Sequence, residues 1–453
     1  MRTNADARAT VAVIGSGAAG AFVVHGLRKT FGDGVRIALF ERDDRVGGRV
    51  RQVEFTGVLF EAGGSMIHST NRYMGDATDE FGFQRYTLVV PKGRPRESLA
   101  CWNGESFDFI AKGSGEEQTR VLFGQYGENL VKVNGIVSET IQRLDAVYER
   151  HRHGEAWDTP EEMLRALGLY EATQIDGYTY FRGRDVDDAF LLEMSDGISR
   201  ANYGQSTAIN ALAAMVSLAG GGAGGGYLYS VFGGNAHLFK RMIERSGADL
   251  YLKTSVAGIE ASTSAALGNA AYVVRAQDGS AFPCDAVVIA TPLEFADIRF
   301  SGIHVPDEAK DKRAFQVTHT TFVAGRPNSA YFGLAPDQII PDVVLTRENP
   351  EIPFSSIGLA GETDDGALPV YKLFSREKLE DETLDTLFTE RADTLRLVWK
   401  AYPVLQPMAK WPPFRLGPGL YYVNAMESAV STMETEAIAA QTVVNLMARD
   451  MLT

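Results

Sequence analysis

The residues best suited to chemistry lie in short glycine clusters near the start of the sequence. The first, Gly15–Gly20, has the spacing GxGxxG, and Glu41 follows about 20 residues later. Such glycines let a pyrophosphate approach the free N–H groups at a helix start, while the acid accepts hydrogen bonds from a ribose. The pattern predicts a dinucleotide site rather than a turn that only packs a helix on a strand. The predicted contacts are Gly15, Ser16, Gly17, Ala19, Gly20 and Glu41.

The segments around this cluster must supply a strand, a helix and a second strand. Residues 10–14 form a short β-branched run typical of a buried parallel strand, and the stretch after the glycines has helical periodicity. Residues 35–41 are predicted to form the next strand. A strand, a helix and a strand in this order require a right-handed crossover and therefore a parallel sheet.

The stretch that follows Glu41 indicates which dinucleotide is bound. Residues 41–49, with the glycine pair Gly47–Gly48, resemble the acid-to-GGR motif of the flavin amine oxidase superfamily. The glycines let the backbone pass close to a ligand, and Arg49 can neutralise a pyrophosphate. The resemblance implies FAD, and a third glycine pair then corresponds to the segment beside the ribityl chain and the flavin ring. It adds the predicted FAD contacts Arg42, Gly48, Arg49, Gly63, Gly64, Ser65 and Met66.

Later segments match the same superfamily in the same order. Val256 corresponds to the position whose backbone meets the adenine, Thr291 to a strand end beside the cofactor, and Glu427 to the segment that holds the ribityl and phosphate groups. The helix that begins near Met433 is expected to point its N-terminus at the flavin. No second GxGxxG follows a strand, so an external acceptor such as molecular oxygen is expected instead of NAD(P)H. Because no cysteine follows Cys284, the resemblance implies FAD bound non-covalently.

A closer resemblance is to the prenylcysteine oxidase family. Residues 63–71 (GGSMIHSTN) and 200–210 (RANYGQSTAIN) are similar to segments of that family, and the short motifs ATPL, AYP and LYY recur later in the same order. The likeness runs from about Val11 to Ala440. It implies an FAD oxidase acting on a small-molecule thioether, in which the carbon next to sulfur gives a hydride to the flavin and water adds to the resulting cation. The implied products are a thiol, an aldehyde and, after reoxidation by oxygen, hydrogen peroxide.

The candidate catalytic residues come mainly from these two segments. His68, beside the proposed flavin pocket, is suited to positioning the attacking water or taking its proton, the alternative being a histidine hydrogen-bonded to backbone. Arg200 can hold a substrate carboxylate through two hydrogen bonds, and a structural salt bridge between domains is equally open. Tyr203 and Gln205 are predicted to line the pocket. His319, in a predicted strand, is a further candidate.

Two other classes of function stay open at the level of sequence. An FAD-dependent amine oxidase or desaturase shares all the cofactor motifs. Many amine oxidases carry a lysine near flavin N5 in the strand that corresponds to residues 316–324, which contain none here, although Lys372 or Lys410 can approach from another direction. A non-enzymatic prenyl-binding protein of the Rab GDP dissociation inhibitor type has a related fold without FAD. The presence of Glu41 and Arg49 favours a protein that binds flavin.

Composition excludes several partners and sites. The 453 residues include 44 basic and 58 acidic side chains with no basic block, so nucleic acid is not an expected partner. Two cysteines, Cys101 and Cys284, are too few for a disulfide framework or a multi-thiolate zinc site, and no metal is predicted. The sequence has no run of about 18 uninterrupted apolar residues, so no membrane span is predicted. The polar N-terminus lacks a signal cleavage site, and a cytoplasmic location is expected.

The overall prediction is an α/β protein with a Rossmann-like FAD-binding domain of the amine-oxidase type and an interleaved α+β substrate domain. The pattern is mostly helical over residues 115–217 and strand-like on both sides. A glycine-rich stretch at 220–226 (GGGAGGG) is expected to be a solvated linker or part of a mobile entrance. The FAD-binding domain is predicted to comprise residues 1–90, 225–300 and 412–453, and the substrate domain residues 91–224 and 301–411.

Overall fold

The computed structural model describes residues 8–87, 89–90, 94–95, 98–262 and 271–452. Residues 1–7, most of the polar N-terminal segment, lie outside the described residues. The cytoplasmic location expected from that segment therefore stays a prediction. The strands are β1 Ala9–Ile14, β2 Val35–Phe40, β3 Arg51–Phe55, β4 Val58–Gly63, β5 Ile67–His68, β6 Arg85–Thr87, β7 Val89–Val90, β8 Arg94–Pro95, β9 Ser98–Trp102, β10 Phe107–Lys112, β11 Leu228–Val231, β12 Asp249–Tyr251, β13 Val256–Ala261, β14 Tyr272–Ala276, β15 Ala281–Cys284, β16 Ala286–Ile289, β17 Arg299–Ser301, β18 Phe315–Pro327, β19 Val343–Thr346, β20 Ser356–Glu362, β21 Pro369–Ser375, β22 Phe388–Pro403, β23 Arg415–Gly417 and β24 Leu420–Tyr422. The α-helices are α1 Ala18–Phe31, α2 Arg72–Glu80, α3 Gly115–Tyr126, α4 Glu128–Arg152, α5 Pro160–Ala166, α6 Gly177–Arg182, α7 Asp188–Phe190, α8 Asp196–Tyr203, α9 Ala211–Gly220, α10 Asn235–Ser246, α11 Asp381–Leu387 and α12 Met433–Leu452.

A six-stranded sheet with the order β12-β2-β1-β16-β24-β23 forms the first layer. Its central strands are parallel, with Val11 opposite Ile37 on one side and Ala286 on the other. The β-branched run of β1 is buried because α1 packs on the sheet beside α10 and α12. The predicted βαβ unit and the parallel sheet are therefore confirmed.

A seven-stranded sheet with the order β10-β9-β19-β20-β21-β18-β22 forms the second large layer. Most of its pairs are antiparallel, and β9 with β19 is a parallel pair. The segments TTFVAG and PVYKLFS, predicted as strands, lie in β18 and β21. The long strand β22 has no such sequence signal because it lies at the sheet edge, where most of its side chains are exposed or half-buried.

Helices α3 to α9 form as the helical pattern over residues 115–217 predicts, and α3 and α8 pack on strands of the seven-stranded sheet. Helix α5 begins as expected at Thr159, whose hydroxyl accepts from the N–H of Glu162 (3.1 Å) while that carboxylate accepts from the N–H of Thr159 (3.3 Å). A π-helical turn, Leu191–Ser195, joins α7 to α8. Several of these helices form the wall of a large cavity that faces the sheet.

The strands of the two sheets alternate along the chain. The six-stranded sheet draws strands from residues 9–40, 249–289 and 415–422, and the seven-stranded sheet from residues 98–112 and 315–403. The predicted domain boundaries are compatible with this alternation and stay a prediction. Within the described ranges, no helix is both long and apolar enough to span a bilayer, and no group of three or more His, Cys, Asp or Glu side chains can hold a metal ion.

Candidate active site

A continuous cavity of about 1590 Å³ extends from the carboxyl ends of the parallel strands to the face of the seven-stranded sheet. We call its first part the cofactor cleft, lined by residues 14–19, 61–66, 254–256 and 431–436, by residues 40–51 except Asp44 and Val46, and by residues 290–297 except Leu293. The second part, here called the apolar chamber, lies between α4, α8 and α9 on one side and strands of the seven-stranded sheet on the other. Its apolar lining consists of Leu99, Ile141, Leu144, Ile198, Val216, Leu228, Val343, Leu345, Ile357 and Phe374.

The first glycine cluster forms the turn between β1 and α1 at the bottom of the cleft. Gly15 has a φ of +103°, and a Cβ there would lie 2.5 Å from the carbonyl oxygen of Ala290. Gly17 lines the cleft, and a Cβ on it would meet its nearest described neighbours only at 3.9 Å. Gly20 does not line the cleft: a Cβ there would lie 1.9 Å from the oxygen of Gly15. Gly17 thus permits close approach of a ligand, whereas Gly20 permits helix-on-strand packing.

Glu41 lies at the end of β2, where its buried carboxylate lines the cleft. One carboxylate oxygen accepts from the N–H (3.0 Å) and the hydroxyl (2.6 Å) of Ser16, and the other accepts from the N–H of Asp43 (2.9 Å). These bonds fix the acid beside the glycine turn, where a ribose would lie. Arg42 also lines the cleft, at its exposed rim, and donates to the carbonyl of Phe295 (3.3 Å).

The second glycine pair allows two loops to cross. Gly48 has a φ of +57°, and a Cβ there would lie 3.3 Å from the Cα of Gly17, so the pair is required by packing as well as by ligand approach. Arg49 lines the cleft, donates to the carbonyl of Ala401 (2.9 Å) and forms an ion pair with Glu427. Glu427 itself is fully buried behind Arg49 and does not line the cavity. Its predicted direct contact with FAD is therefore corrected to support of Arg49.

The turn after β4 carries the third glycine pair, followed by Ser65 and Met66, and all four residues line the cleft. Gly64 has a φ of +65°, and a Cβ there would lie 2.6 Å from the side chain of Val50. Lys372, reaching across from β21, donates to the carbonyl of Glu61 (2.8 Å) and to the Ser65 hydroxyl (3.1 Å). Lys372 thus approaches this turn from the strand next to β18, whereas Lys410 does not line the cavity.

The remaining predicted cofactor contacts also line the cleft. Val256 begins β13 and Thr291 follows β16, so both lie at strand ends. Met433 is the first residue of α12, whose start is capped by Thr432: its hydroxyl accepts from the N–H of Thr435 (3.0 Å). Residues 431–436 line the cleft, which brings the positive end of the helix dipole to the cavity.

Three buried carboxylates of the cavity wall, Glu61, Glu434 and Glu436, have pKa values above the ordinary range. Burial raises the pKa of Glu61 to about 7, against the opposing effects of the N–H of Asn235 (2.8 Å) and the charge of Lys372. Burial likewise raises the pKa of Glu434 to about 7, although it accepts a hydrogen bond from the Tyr148 hydroxyl (2.6 Å) and two from backbone N–H groups. Each carboxylate can therefore hold a proton near neutral pH.

His68 and Tyr203 are the two predicted catalytic residues that line the cavity. The ring of Tyr203 packs edge-on against Tyr402, with centroids 5.0 Å apart. Nε2 of His68 lies 3.1 Å from the carbonyl oxygen of Gly225, which only accepts, so Nε2 carries the proton and Nδ1 accepts from the Thr70 hydroxyl (2.8 Å). Burial lowers the pKa of His68. With both ring nitrogens bonded inside the protein, His68 is better suited to holding the glycine-rich segment than to activating water.

Arg200, Gln205 and His319 do not line the cavity, and their expected catalytic positions are corrected. Arg200 is buried and donates to Glu348 (2.7 Å), the Thr346 hydroxyl (3.0 Å) and the carbonyl of Phe354 (3.3 Å), so it forms a structural salt bridge within the predicted substrate domain and not between domains. Gln205 donates to the carbonyl of Pro403 (3.0 Å) and accepts from the N–H of Leu405 (2.9 Å). His319 is a half-buried residue of β18, between β21 and β22. In the segment 200–210, residues 201–203 thus line the cavity, whereas Arg200 and Gln205 hold neighbouring parts of the chain together.

Structural comparison shows that solved amine oxidases share this fold. Cyclohexylamine oxidase from Brevibacterium oxydans superposes with a TM-score of 0.64 at 15% identity, over 98% of this chain and 100% of that one. Putrescine oxidase with bound putrescine superposes with a TM-score of 0.63 at 15% identity, over 98% and 99%. The residues of the cleft fit the same class of cofactor, because a glycine turn, a buried acid, an arginine and a helix start converge there. The chain therefore has the fold of these oxidases and a cleft with the features of a dinucleotide site.

Sequence comparison then gives the family. A family model described as prenylcysteine lyase matches residues 118–453, and one described as an NAD(P)-binding Rossmann-like domain matches residues 13–81. Farnesylcysteine lyase of Arabidopsis thaliana is 36% identical, over 98% of this chain and 88% of that protein. Prenylcysteine oxidase 1 of Homo sapiens is 31% identical, over 95% and 87%. The chain belongs to the prenylcysteine lyase family, and the comparisons do not favour an amine oxidase, a desaturase or a non-enzymatic prenyl-binding protein.

Proposed function

We propose that this chain is an oxidase with non-covalent FAD that cleaves the C–S bond of an S-prenyl cysteine or a similar S-alkyl cysteine. The observation that carries the proposal is the continuity of the cofactor cleft with the apolar chamber. A long apolar substituent gains about 25 cal/mol for each Å² of surface that it buries in such a chamber. Neither cysteine lines the cavity, which supports a cofactor held without a thioether link.

The chemistry follows from the substrate class. Bound FAD supplies a hydride acceptor, and molecular oxygen is the proposed final acceptor. The carbon next to sulfur loses a hydride, sulfur stabilises the cation, and water adds to that carbon with loss of a proton. The resulting hemithioacetal breaks its C–S bond to give a thiol and an aldehyde. Overall, thioether, oxygen and water become thiol, aldehyde and hydrogen peroxide, which balances atoms and electrons.

The protein's own task in this reaction is to bind, orient and keep the site dry. The start of α12, Arg49 and the turn at Gly63–Ser65 supply positive charge and backbone donors to the cofactor. Tyr203 and the chamber walls position the carbon to be oxidised and exclude bulk water from it. Glu61 and Glu434, with pKa values near 7, are groups at the cavity wall that can hold the proton released when water adds.

The decisive experiment separates thioether oxidation from amine oxidation. The purified, FAD-loaded protein is mixed anaerobically with S-farnesyl cysteine, with S-hexyl cysteine and with a primary amine of similar length. We expect the thioethers to bleach the flavin absorption and, after admission of oxygen, to yield free cysteine, aldehyde and hydrogen peroxide in equal amounts. Bleaching by the amine alone, or a protein that cannot be loaded with FAD, contradicts the proposal. Free FAD at the same concentration is the control.

A further inference from the structure

A charged pair borders the otherwise apolar wall that α4 contributes to the chamber. Asp145 lines the cavity next to Leu144 and one turn from Ile141. Its Oδ2 lies 3.5 Å from Nη2 of Arg72, the first residue of α2. The guanidinium of Arg72 lies over the ring of Tyr148, 5.1 Å from its centroid. One carboxylate and one guanidinium therefore stand side by side at the border of the chamber.

The distance between the charged atoms of Asp145 and Arg72 is longer than in a strong ion pair. Charged N–H to carboxylate bonds are usually about 2.7–2.9 Å long, and the Arg200–Glu348 bond is 2.7 Å. The side chains of Asp145 and Arg72 are 29% and 49% exposed; Asp145 lines the cavity, and Arg72 lies just outside the lining, where a head group bound at Asp145 can meet it. Burial raises the pKa of Asp145 against the opposing charge of Arg72, so the charge of the carboxylate is incompletely compensated. A further cation beside it would be stabilised.

An amino-acid head group carries a positive ammonium and a negative carboxylate on the same carbon atom, so it can pair with both Asp145 and Arg72. Its ammonium complements Asp145, and its carboxylate complements Arg72, which can donate two parallel hydrogen bonds. Arg200, the anchor that the sequence suggested, is engaged by Glu348, and the Lys372 ammonium is bonded to the turn after β4. Arg72, by contrast, is half-exposed and has an acidic neighbour that lines the chamber.

We propose that Asp145 and Arg72 bind the α-amino-acid head group of the substrate, Asp145 holding the ammonium and Arg72 the carboxylate. The proposal rests on the proposed function and adds to it the residues that select a free amino acid. The head group stays at the half-exposed border, and the apolar substituent lies against Ile141, Leu144 and the facing strands. This arrangement avoids burying either charge of the zwitterion without a partner.

The test measures equilibrium binding, so that it does not depend on turnover. Calorimetry under anaerobic conditions compares S-farnesyl cysteine with its N-acetyl derivative and with its methyl ester, on the FAD-loaded protein whose flavin has first been reduced with dithionite and therefore accepts no hydride. We expect the wild-type protein to bind the free amino acid at least tenfold more tightly than either derivative. Asp145→Asn should weaken binding of the free amino acid and of the methyl ester about tenfold and leave the N-acetyl derivative within twofold. Arg72→Gln should weaken the free acid and the N-acetyl derivative and spare the methyl ester.

The matched control lies on the same helix. Glu139 and Arg143 form an exposed ion pair (2.6 Å), and neither lines the cavity, so Glu139→Gln should leave all three affinities unchanged. Equal binding of the three ligands by the wild type, or an equal loss of all three in the Asp145 and Arg72 variants, overturns the assignment. Selective binding of the free amino acid without oxidation of any thioether instead contradicts the proposed function and leaves this head-group site standing.

Discussion

The ammonium of Lys372 lies 3.1 Å from the hydroxyl of Ser65, so a strand of the seven-stranded sheet is fastened to the turn that ends β4. The same ammonium donates to the carbonyl of Glu61 (2.8 Å). The turn belongs to the cofactor cleft and the strand to the chamber wall. One side chain therefore couples the geometry of the cofactor site to that of the substrate site.

Replacing this lysine should loosen the cofactor site. Lys372→Met removes two donors and a charge that lowers the pKa of Glu61, and a lost bond to a buried acceptor costs about 1–3 kcal/mol. We expect FAD to dissociate with a Kd about tenfold higher, measured by flavin fluorescence on dilution. Lys378→Met, which breaks an exposed ion pair with Glu380, is the control. Equal FAD affinity in wild type and Lys372→Met contradicts the coupling.

The first glycine turn should tolerate no side chain at its start. In Gly15→Ala the added Cβ would lie 2.5 Å from the Ala290 oxygen, in a backbone conformation that costs an L-residue about 1–2 kcal/mol before any clash. We expect loss of bound FAD and a free energy of unfolding lowered by at least about 2 kcal/mol. Gly34→Ala is the matched control, because a Cβ at that position would have no described atom within 4 Å. A yellow, stable Gly15→Ala protein would exclude this account of the turn.

Arg200 should prove to be a structural residue. Arg200→Ala leaves the Thr346 hydroxyl and the carbonyl of Phe354 without this donor, whereas Glu348 keeps its two bonds to Arg376 (2.7 and 2.6 Å). We expect denaturant unfolding to show a loss of about 1–3 kcal/mol. The ratio of affinities for a free acid and its methyl ester should not change. A selective loss of the free acid would restore Arg200 as the carboxylate anchor.

Glu434 should make stability depend on pH. Its pKa is about 7 in the fold against an ordinary value of 4.5, so the fold favours the protonated form. The stability it contributes is complete below pH 4.5 and is lost as the pH rises through 7, by about 2.5 kcal/mol between pH 5 and pH 8. Glu434→Gln removes this titration. Between pH 5 and pH 8 the free energy of unfolding of the wild type should therefore fall by about 2.5 kcal/mol relative to that of the variant. Parallel pH profiles for the two proteins would contradict the assignment.

The cofactor region was largely predictable because its constraints are local. A glycine turn, a helix start and an acid at a strand end recur within a short stretch, and backbone sterics fix which residue types are allowed. Gly17, Glu41 and Arg49 accordingly lie in the cleft as predicted. The sequence predicts that Glu427 contacts FAD, whereas in the structure Arg49 lies between Glu427 and the cleft. Sequence order alone does not show this arrangement.

The substrate region was less predictable because its contacts are distant in sequence. Arg200 contacts Glu348 because α8 packs on β19 and β20. No sequence pattern near Arg200 predicts that partner. Lys372 reaches the cleft because β21 pairs with β18, and the composition of the two segments does not predict that pairing. Asp145 and Arg72 stand on different helices, and each alone has the pattern of an ordinary surface charge.

The strand order of the six-stranded sheet sets when the protein can fold during its synthesis. Strand β1 lies between β2 and β16, and β16 in turn requires β24, near the end of the chain. A ribosome must therefore translate past Tyr422 before the sheet that carries the glycine turn is complete. Until β16 and β24 are made, the sheet that β1 and β2 begin keeps an unpaired edge at β1, and such exposed edges favour aggregation. Nascent chains of this protein are expected to need chaperone protection until β24 has been translated.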